Sequence, residues 1–272
     1  MPTAENERDY IQSLERGFAV LLAFNADRPS PTLAELASAT RLSRPAVRRI
    51  LLTLQRLGYV DTAGGCWALT PRVLSIGQHY SESHALIEVA QPHLLHLAEL
   101  TQESASLAAR DHTDVVYIAR VPVRRVMSIN VSVGTRVAIH ATSMGRVLLA
   151  WAPDRLVTEV IEATGLRAYT PRTITDPALF RADVRTVRRR GWSIVEDELE
   201  IGLLSASAPV RDHTGTVVAA LASSTSSGRS NVEHLREEVV PLLVRTAEQI
   251  STDLGHRGGT GMAIVQGRDG FF

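Results

Sequence analysis

The chain has 272 residues, 44% hydrophobic and 21% charged, a composition that suits one large or two ordinary folded domains. Every basic residue is arginine, and 29 basic residues balance 29 acids, so overall charge gives no argument for a polyanionic partner. Cys66 is the only cysteine, which excludes an intrachain disulfide and a four-cysteine zinc site. No apolar run is long enough for a membrane span, and Met1 to Asp9 is polar and acidic, unlike a signal peptide. The expectation is a cytoplasmic protein with no membrane partner and no cofactor.

Residues 10 to 25 are amphipathic, with Ile11, Leu14, Phe18 and Leu21/Leu22 at helical spacing. Asp27 to Pro31 breaks this helix. Thr32, with Glu35 three residues on, forms a capping box for a second helix, Leu33 to Ala39. After a tight connection over Thr40 to Leu42, Ser43 is a good N-cap for a third helix, with Pro45 in its first turn and Gly58 at its end. Val47, Ile50, Leu51, Leu54 and Leu57 form its apolar stripe. Pro45, Arg48, Arg49, Thr53 and Arg56 lie opposite, with Arg44 at the edge. Leu52 also falls on the outer side, placed to meet a thymine methyl or a neighbouring element. Between Glu35 and Asp61 there are five arginines and no acid, a one-sided charge that attracts a polyanion. Taken alone, the same pattern also describes a solvated surface helix.

Tyr59 to Thr62 and Cys66 to Leu69 alternate around Gly64-Gly65, which predicts a hairpin ended by Thr70-Pro71. Three short helices, a brief turn before the third and a hairpin directly after it make a winged helix-turn-helix. On this reading Ser43, Arg44, Pro45, Arg48, Arg49 and Thr53 contact DNA in the major groove. Arg72 to Ser83 reads as a linker helix with Val73, Ile76 and Tyr80 on one side.

A long amphipathic helix, Leu86 to Thr101, opens a second domain. His93, His96 and Glu99 share one of its sides, but no further ligand cluster points there, so no metal is expected. Ser104 to Ala109, Val115 to Val121 and Val126 to Val131 read as strands. Thr142 or Ser143 caps a helix, Met144 to Trp151, and two more follow over Asp154 to Thr164 and Asp176 to Arg190. Arg188 to Arg190 end the last of these, where cations suit the helix dipole, and Gly191 stops it. Trp192 to Glu196, Ser205 to Arg211 and Val217 to Ser224 are three further strands. Asn231 to Leu254 is a closing helix bent at Pro241. Six strands among helices make an α+β domain. The domain boundaries read as 10–72 for the DNA-binding domain, 73–85 for the linker helix, 86–256 for the second domain and 257–272 for a disordered tail.

Four segments, Ser13 to Gly17, Leu42 to Arg49, Leu57 to Val60 and Leu69 to Leu74, resemble the IclR family of bacterial transcriptional regulators. His140 to Arg146 resembles the second domain of the same family, and the resemblance runs from about residue 10 to residue 256. It looks closest to the branch controlling protocatechuate and β-ketoadipate catabolism. It implies a GAF-like antiparallel sheet that binds a small effector, aromatic or carboxylic acid in class. It also implies a linker helix that helps pair the N-terminal domains in a homodimer or dimer of dimers, acting as repressor or activator. RNA polymerase is a further candidate partner.

The loop His140 to Gly145 opens a helix, where unpaired N–H groups and the dipole suit a carboxylate. Carried over by position, Ser143 and Met144 contact the effector and Val126 and Ile129 line one wall. The segment from Glu196 through Asp197 to Ser205 lines another, and Ala222 and Ser224 close the floor. Effector binding beside Ser143 then shifts the orientation of the DNA-binding domains through the linker. The sequence departs from the family's aromatic-acid regulators at Gly202-Leu203-Leu204, where they commonly have Gly-Leu-Arg. The missing arginine removes a bidentate donor, leaving Arg136 or Arg146 to meet an acid and a neutral effector open. Ser223 to Ser227 is also more polar than the family's strand end.

Two other classes compete. Ala141 to Gly145 is a near miss for the nucleophile elbow of an esterase, lacking its first glycine and the parallel α/β pattern. The other is a winged helix serving as a protein-interaction module without DNA, against which the basic outer face argues.

Overall fold

The computed structural model describes residues 10–25, 28–77, 85–123 and 131–257. The chain divides into two compact units, 1–83 and 84–272.

In the first unit, α1 (Gln12–Leu22), α2 (Leu33–Thr40) and α3 (Arg44–Arg56) precede a hairpin of β1 (Val60–Ala63) and β2 (Cys66–Leu69). The Thr32 capping box forms as expected: its hydroxyl accepts from the Glu35 N–H, and the Glu35 carboxylate accepts from the Thr32 N–H at 2.7 Å. Arg41, in the left-handed region, turns the chain between α2 and α3. Ser43 caps α3 by accepting from the Ala46 N–H. Gly64 and Gly65 both have positive φ, the requirement of a two-residue hairpin turn. Trp67 donates its N–H to the Pro31 carbonyl, tying the hairpin to the loop before α2.

The small core is built from Val20, Phe24, Leu36, Val47, Leu51 and Leu54 with Val60 and Trp67. On α3 the periodicity picks out the buried face correctly at Val47, Leu51 and Leu54, while Leu57 is exposed. On α1 the apolar stripe is not the buried face. Ile11, Leu14, Phe18 and Leu22 are all exposed, and Val20 carries the packing. The linker helix is described only in its beginning, a 3-10 turn over Pro71–Val73 and helical residues 74–77; the rest of the expected 73–85 segment lies largely outside the described residues.

The second unit contains one antiparallel sheet in the order β5-β4-β3-β8-β7-β6, formed by β3 (Ser104–Asp111), β4 (Asp114–Val121), β5 (Arg136–Ala138), β6 (Ser193–Glu196), β7 (Leu203–Arg211) and β8 (Val217–Ser226). The α+β architecture is as the sequence implies, and it includes an edge strand, Arg136–Ala138, that the sequence reading did not anticipate. The expected strand Val126 to Val131 lies almost wholly outside the described residues, and Arg136–Ala138 supplies the edge partner of β4.

Alternation along the strands separates the two faces. On β7, Leu204, Ala206, Ala208 and Val210 pack under α4 (Ala85–Thr101) and the closing helix α8 (Val240–Asp253). Ser205 and Ser207 point the other way, toward α5 (Ser143–Ala150). A π-helical stretch, Leu235–Val239, precedes α8 where the sequence anticipates a break at Pro241. All eight residues of α5 are buried, because the helix packs on β7 and β8 on one side and on α7 (Pro177–Arg190) on the other. Between them in sequence, α6 (Asp154–Thr164) packs Val157 and Val160 into the same core. Gly145 has no alternative: a Cβ there falls 1.7 Å from the Ile139 carbonyl oxygen.

Candidate functional sites

The first site is the outer face of α3. Ser43, Arg44, Pro45, Arg48, Arg49 and Thr53 are all exposed. Successive residues turn by about 100°, which sets Arg44 and Arg48 on one flank and Thr53 on the other. The Thr53 hydroxyl donates back to the Arg49 carbonyl at 2.9 Å. Arg49 and Thr53 also border a groove of about 800 Å³ between α1 and α3, whose apolar walls include Ile11, Leu14, Phe18 and Leu57. The residues expected to contact DNA therefore adjoin an apolar surface within the same unit. Leu52 is exposed beside the arginines.

The second site is a cavity of about 210 Å³ between the sheet and the start of α5. Its hydroxyl-bearing lining includes Ser104, Thr142, Ser143, Ser205 and Ser224, and its largely apolar lining includes Tyr117, Val131, Val137, Met144 and Leu203. Arg120 and Arg229 bring positive charge and Glu103 and Glu200 negative charge. Thr142 caps α5, accepting from the Gly145 N–H at 3.1 Å. That leaves the Ser143 and Met144 amides, first in the helix, without intrahelical acceptors. The Ser143 hydroxyl bonds Ser205 at 2.9 Å and Ser207 at 2.7 Å.

Of the residues carried over from the resemblance, Ser143, Met144, Ser205 and Ser224 meet around this cavity. Val126 and Ile129 lie outside the described residues. Asp197 and Ala222 are not among the described lining residues. Asp197, at φ +57°, accepts from the Gly202 N–H at 2.7 Å and so closes the 197–202 loop. Ala222 packs in the core around α5.

The expected source of positive charge is corrected. Leu204 is fully buried in the layer under α4 and α8, so the residue at 204 faces away from the cavity. Arg136 is occupied on the surface by Asp111 and Asp114. Arg146 is fully buried and saturated: Asp183 at 2.9 Å, Glu198 at 2.8 Å, the His140 carbonyl, and the Phe180 ring 4.5 Å away. The cavity's cations are instead Arg120, from β4, and Arg229, neither of which the sequence reading singled out. Their signal was weak, since Arg120 is one arginine in an alternating strand.

Arg146 acts as a brace. It joins α5 to α7 and, through Glu198, to the loop before β7 that carries Leu199 and Glu200 into the cavity wall. Burial pushes the Glu198 carboxyl above the ordinary range; the Arg146 guanidinium and the Ile174 N–H at 3.1 Å oppose that shift.

The esterase reading fails on geometry. Both Ser143 partners are serines rather than a base, and His140 Nε2 bonds the Arg167 carbonyl at 3.0 Å. Burial lowers the His140 pKa, keeping the ring neutral. His93 pairs with Asp253 at 2.8 Å, and no group of three or more metal-ligating side chains occurs among the described residues.

A winged helix-turn-helix followed by a helix-covered antiparallel sheet around a cavity defines a ligand-responsive transcriptional regulator. Residues 13–64 match the IclR helix-turn-helix domain, and residues 78–252 match the C-terminal domain of bacterial IclR transcriptional regulators. The chain belongs to the IclR family. It is 39% identical over 250 residues to the Pca regulon regulatory protein of Pseudomonas putida, covering 92% of this chain and 84% of that one. The first curated relatives are regulators of the Pca genes and of p-hydroxybenzoate hydroxylase, in the protocatechuate-pathway branch, and the homologues are named as regulators rather than enzymes. A Rhodococcus protein of known structure superposes with a TM-score of 0.81 at 44% identity, covering 90% of this chain and 98% of that one. An IclR homologue of Microbacterium hydrocarbonoxydans, solved with 4-hydroxybenzoate, superposes with a TM-score of 0.79 at 27% identity, over 89% and 98% of the two chains.

Proposed function

We propose that this regulator binds operator DNA through Ser43, Arg44, Pro45, Arg48, Arg49 and Thr53, and a small aromatic or carboxylic acid in the cavity beside α5. The observation that carries this reading is that one chain holds both an exposed, acid-free arginine face and a cavity lined by hydroxyls and charged side chains. Residues 10–72 serve as the DNA-binding domain, 73–85 as linker and 86–256 as effector domain. Ser143, Met144, Ser205 and Ser224 are the effector contacts supported by the cavity lining; Asp197 acts by shaping the loop. The 4-hydroxybenzoate bound to the Microbacterium homologue supports an aromatic acid as the ligand class.

The working form is a homodimer, alone or paired into a dimer of dimers. The exposed apolar groove between α1 and α3 supports this, because a second copy would cover it and place two α3 helices on successive half-sites. Contact with RNA polymerase and residence in the cytoplasm complete the proposal. Because effector and DNA bind one chain, any effector-induced change in DNA affinity is matched by an equal change in effector affinity.

The test is a mobility shift on the chain's own upstream region. Nanomolar binding is expected, with affinity falling with salt at a log–log slope of about −0.9 per phosphate neutralised. Adding an aromatic acid that raises the thermal midpoint should change the DNA affinity. Flat salt dependence, or no shift on any upstream fragment, would sink the reading.

A further inference from the structure

One residue on the outer face of α3 differs in kind from its neighbours. At about 100° per residue, Leu52 lies about 40° around the helix from Arg48 and from Arg56, and about 60° from Arg49. Leu52 is 40% exposed, and Arg44, Arg48, Arg49 and Arg56 are all exposed around it. None of the four forms an ion pair among the described residues. An apolar side chain thus stands in the middle of a cationic face. Packing within the unit does not explain it, because Val47, Leu51 and Leu54 supply the buried side of α3. The apolar groove beside α1 does not explain it either. The large apolar residues by which α3 borders that groove, Ile50, Leu54 and Leu57, lie about 140–160° from Leu52 by the same rotation. Covering the groove leaves Leu52 on the open side. A single exposed leucine is ordinary on a protein surface; its place at the centre of the arginine face is what gives this one a use.

Resting on the reading of α3 as the DNA-contacting helix, we infer that Leu52 is a specificity-determining residue that packs on the C5-methyl of a thymine in the major groove. That groove admits a helix, and the thymine methyl is the apolar group that the bases present along its floor. The surrounding arginines serve the other two kinds of contact. They neutralise phosphates, which fix position, or pair with guanine O6 and N7. A guanidinium gains nothing from a methyl, so reading thymine falls to Leu52. The discrimination works in two directions. A thymine buries its methyl and the leucine together. A cytosine at the same place sets its N4 amino group against the leucine, where it loses water and finds no acceptor. Spacing locates the base. Leu52 is one helical turn beyond Arg48, a rise of about 6 Å, or roughly two base steps of 3.4 Å. The thymine is therefore expected within about two steps of the base pair that faces Arg48.

The test uses the full chain and duplexes of the site it protects in its own upstream region, with each thymine replaced in turn by deoxyuridine. That exchange deletes one methyl and keeps every hydrogen-bonding group. The expected result is one thymine in each half-site whose replacement weakens binding by about 4-fold, the worth of one buried methyl. Leu52→Ala should make thymine and uracil equivalent at that position. Its salt slope should match that of the native protein, because the slope counts phosphates. Leu52→Met keeps an apolar side chain of similar volume. It should retain the methyl sensitivity, and it covers the case in which Leu52→Ala binds too weakly to compare. If no thymine in the site shows the effect, or if Leu52→Ala keeps the full difference, the assignment to Leu52 is overturned and α3 as the DNA helix stands. If Leu52→Ala keeps that difference and instead changes the oligomeric state in sedimentation, Leu52 meets a protein surface and the assignment is likewise overturned. If the native protein shifts no upstream duplex at all, the DNA reading of α3 falls with it.

Discussion

The outer face of α3 and the interior around α5 solve opposite problems. Every assigned residue on α3 is exposed and comes from one short helix, so each side chain acts nearly independently. Every residue of α5 is buried, and its polar groups work only through partners on other elements: Ser143 through β7, Arg146 through α7 and the 197–202 loop. A surface that reads DNA tolerates substitution in its fold and loses only binding. An interior that shapes a cavity couples binding to stability, since buried polar groups are costly when a partner is lost.

The largest effect expected from this contrast is at Gly145. Gly145→Ala forces a Cβ into the Ile139 backbone and should destabilise the second unit by more than about 3 kcal/mol, beyond ordinary overpacking. Thermal unfolding checks it; a midpoint near that of the native protein would show that the α5 contact is not tight. Next is Arg146→Met, which leaves Glu198 buried without its cation and should cost about 3–5 kcal/mol. Because Glu198 also holds the cavity loop, effector affinity should fall with stability. The double change Arg146→Met with Glu198→Leu should recover part of the loss, and its failure to do so would argue against the brace.

On α3 the same kind of substitution should separate the two quantities. Arg48→Ala should weaken operator binding by about 1–3 kcal/mol while changing stability by within about 0.5 kcal/mol, the norm for an exposed site. Arg44→Ala should behave likewise, and both should spare effector binding. Operator binding unchanged in either variant would show that the assigned face is wrong. The smallest effect is in pH. His140 is held neutral, with its pKa lowered by burial, so the unfolded chain binds its proton first. Its contribution to stability is intact above the ordinary imidazole value of about 6.5. It is lost progressively as pH falls from there through the folded value. A comparison of native and His140→Gln unfolding between mildly acidic and neutral pH reads this, with the variant expected to show the shallower dependence.

Much of the first unit was legible in the residues themselves. Thr32 and Glu35 announce a cap, Ser43 and Pro45 a helix start, and Gly64-Gly65 a turn, because each acts on backbone groups within three or four positions. The exposed apolar face of α1 was misleading for the same reason. Periodicity reports that a face is apolar and is silent on what covers it, and in this unit Val20 buries while Phe18 does not.

In the second unit the chain's own alternation identified five of the six strands, and the small residues at 141–145 marked the start of α5. Its lining could not be read the same way. Arg120, Ser143, Ser205 and Ser224 come from four elements, and which face each presents follows from register, where a shift of one residue reverses every side chain. Thus Leu204, adjacent in sequence to a cavity residue, points into the opposite core, and Arg146, one turn from Ser143, is spent on Asp183 and Glu198. The sequence by itself determined the local elements, the basic face of α3 and the two-part organisation, because these depend on near neighbours and on composition. Only the tertiary structure decided which cation meets the cavity, because that is settled by pairings between strands and helices far apart in the chain.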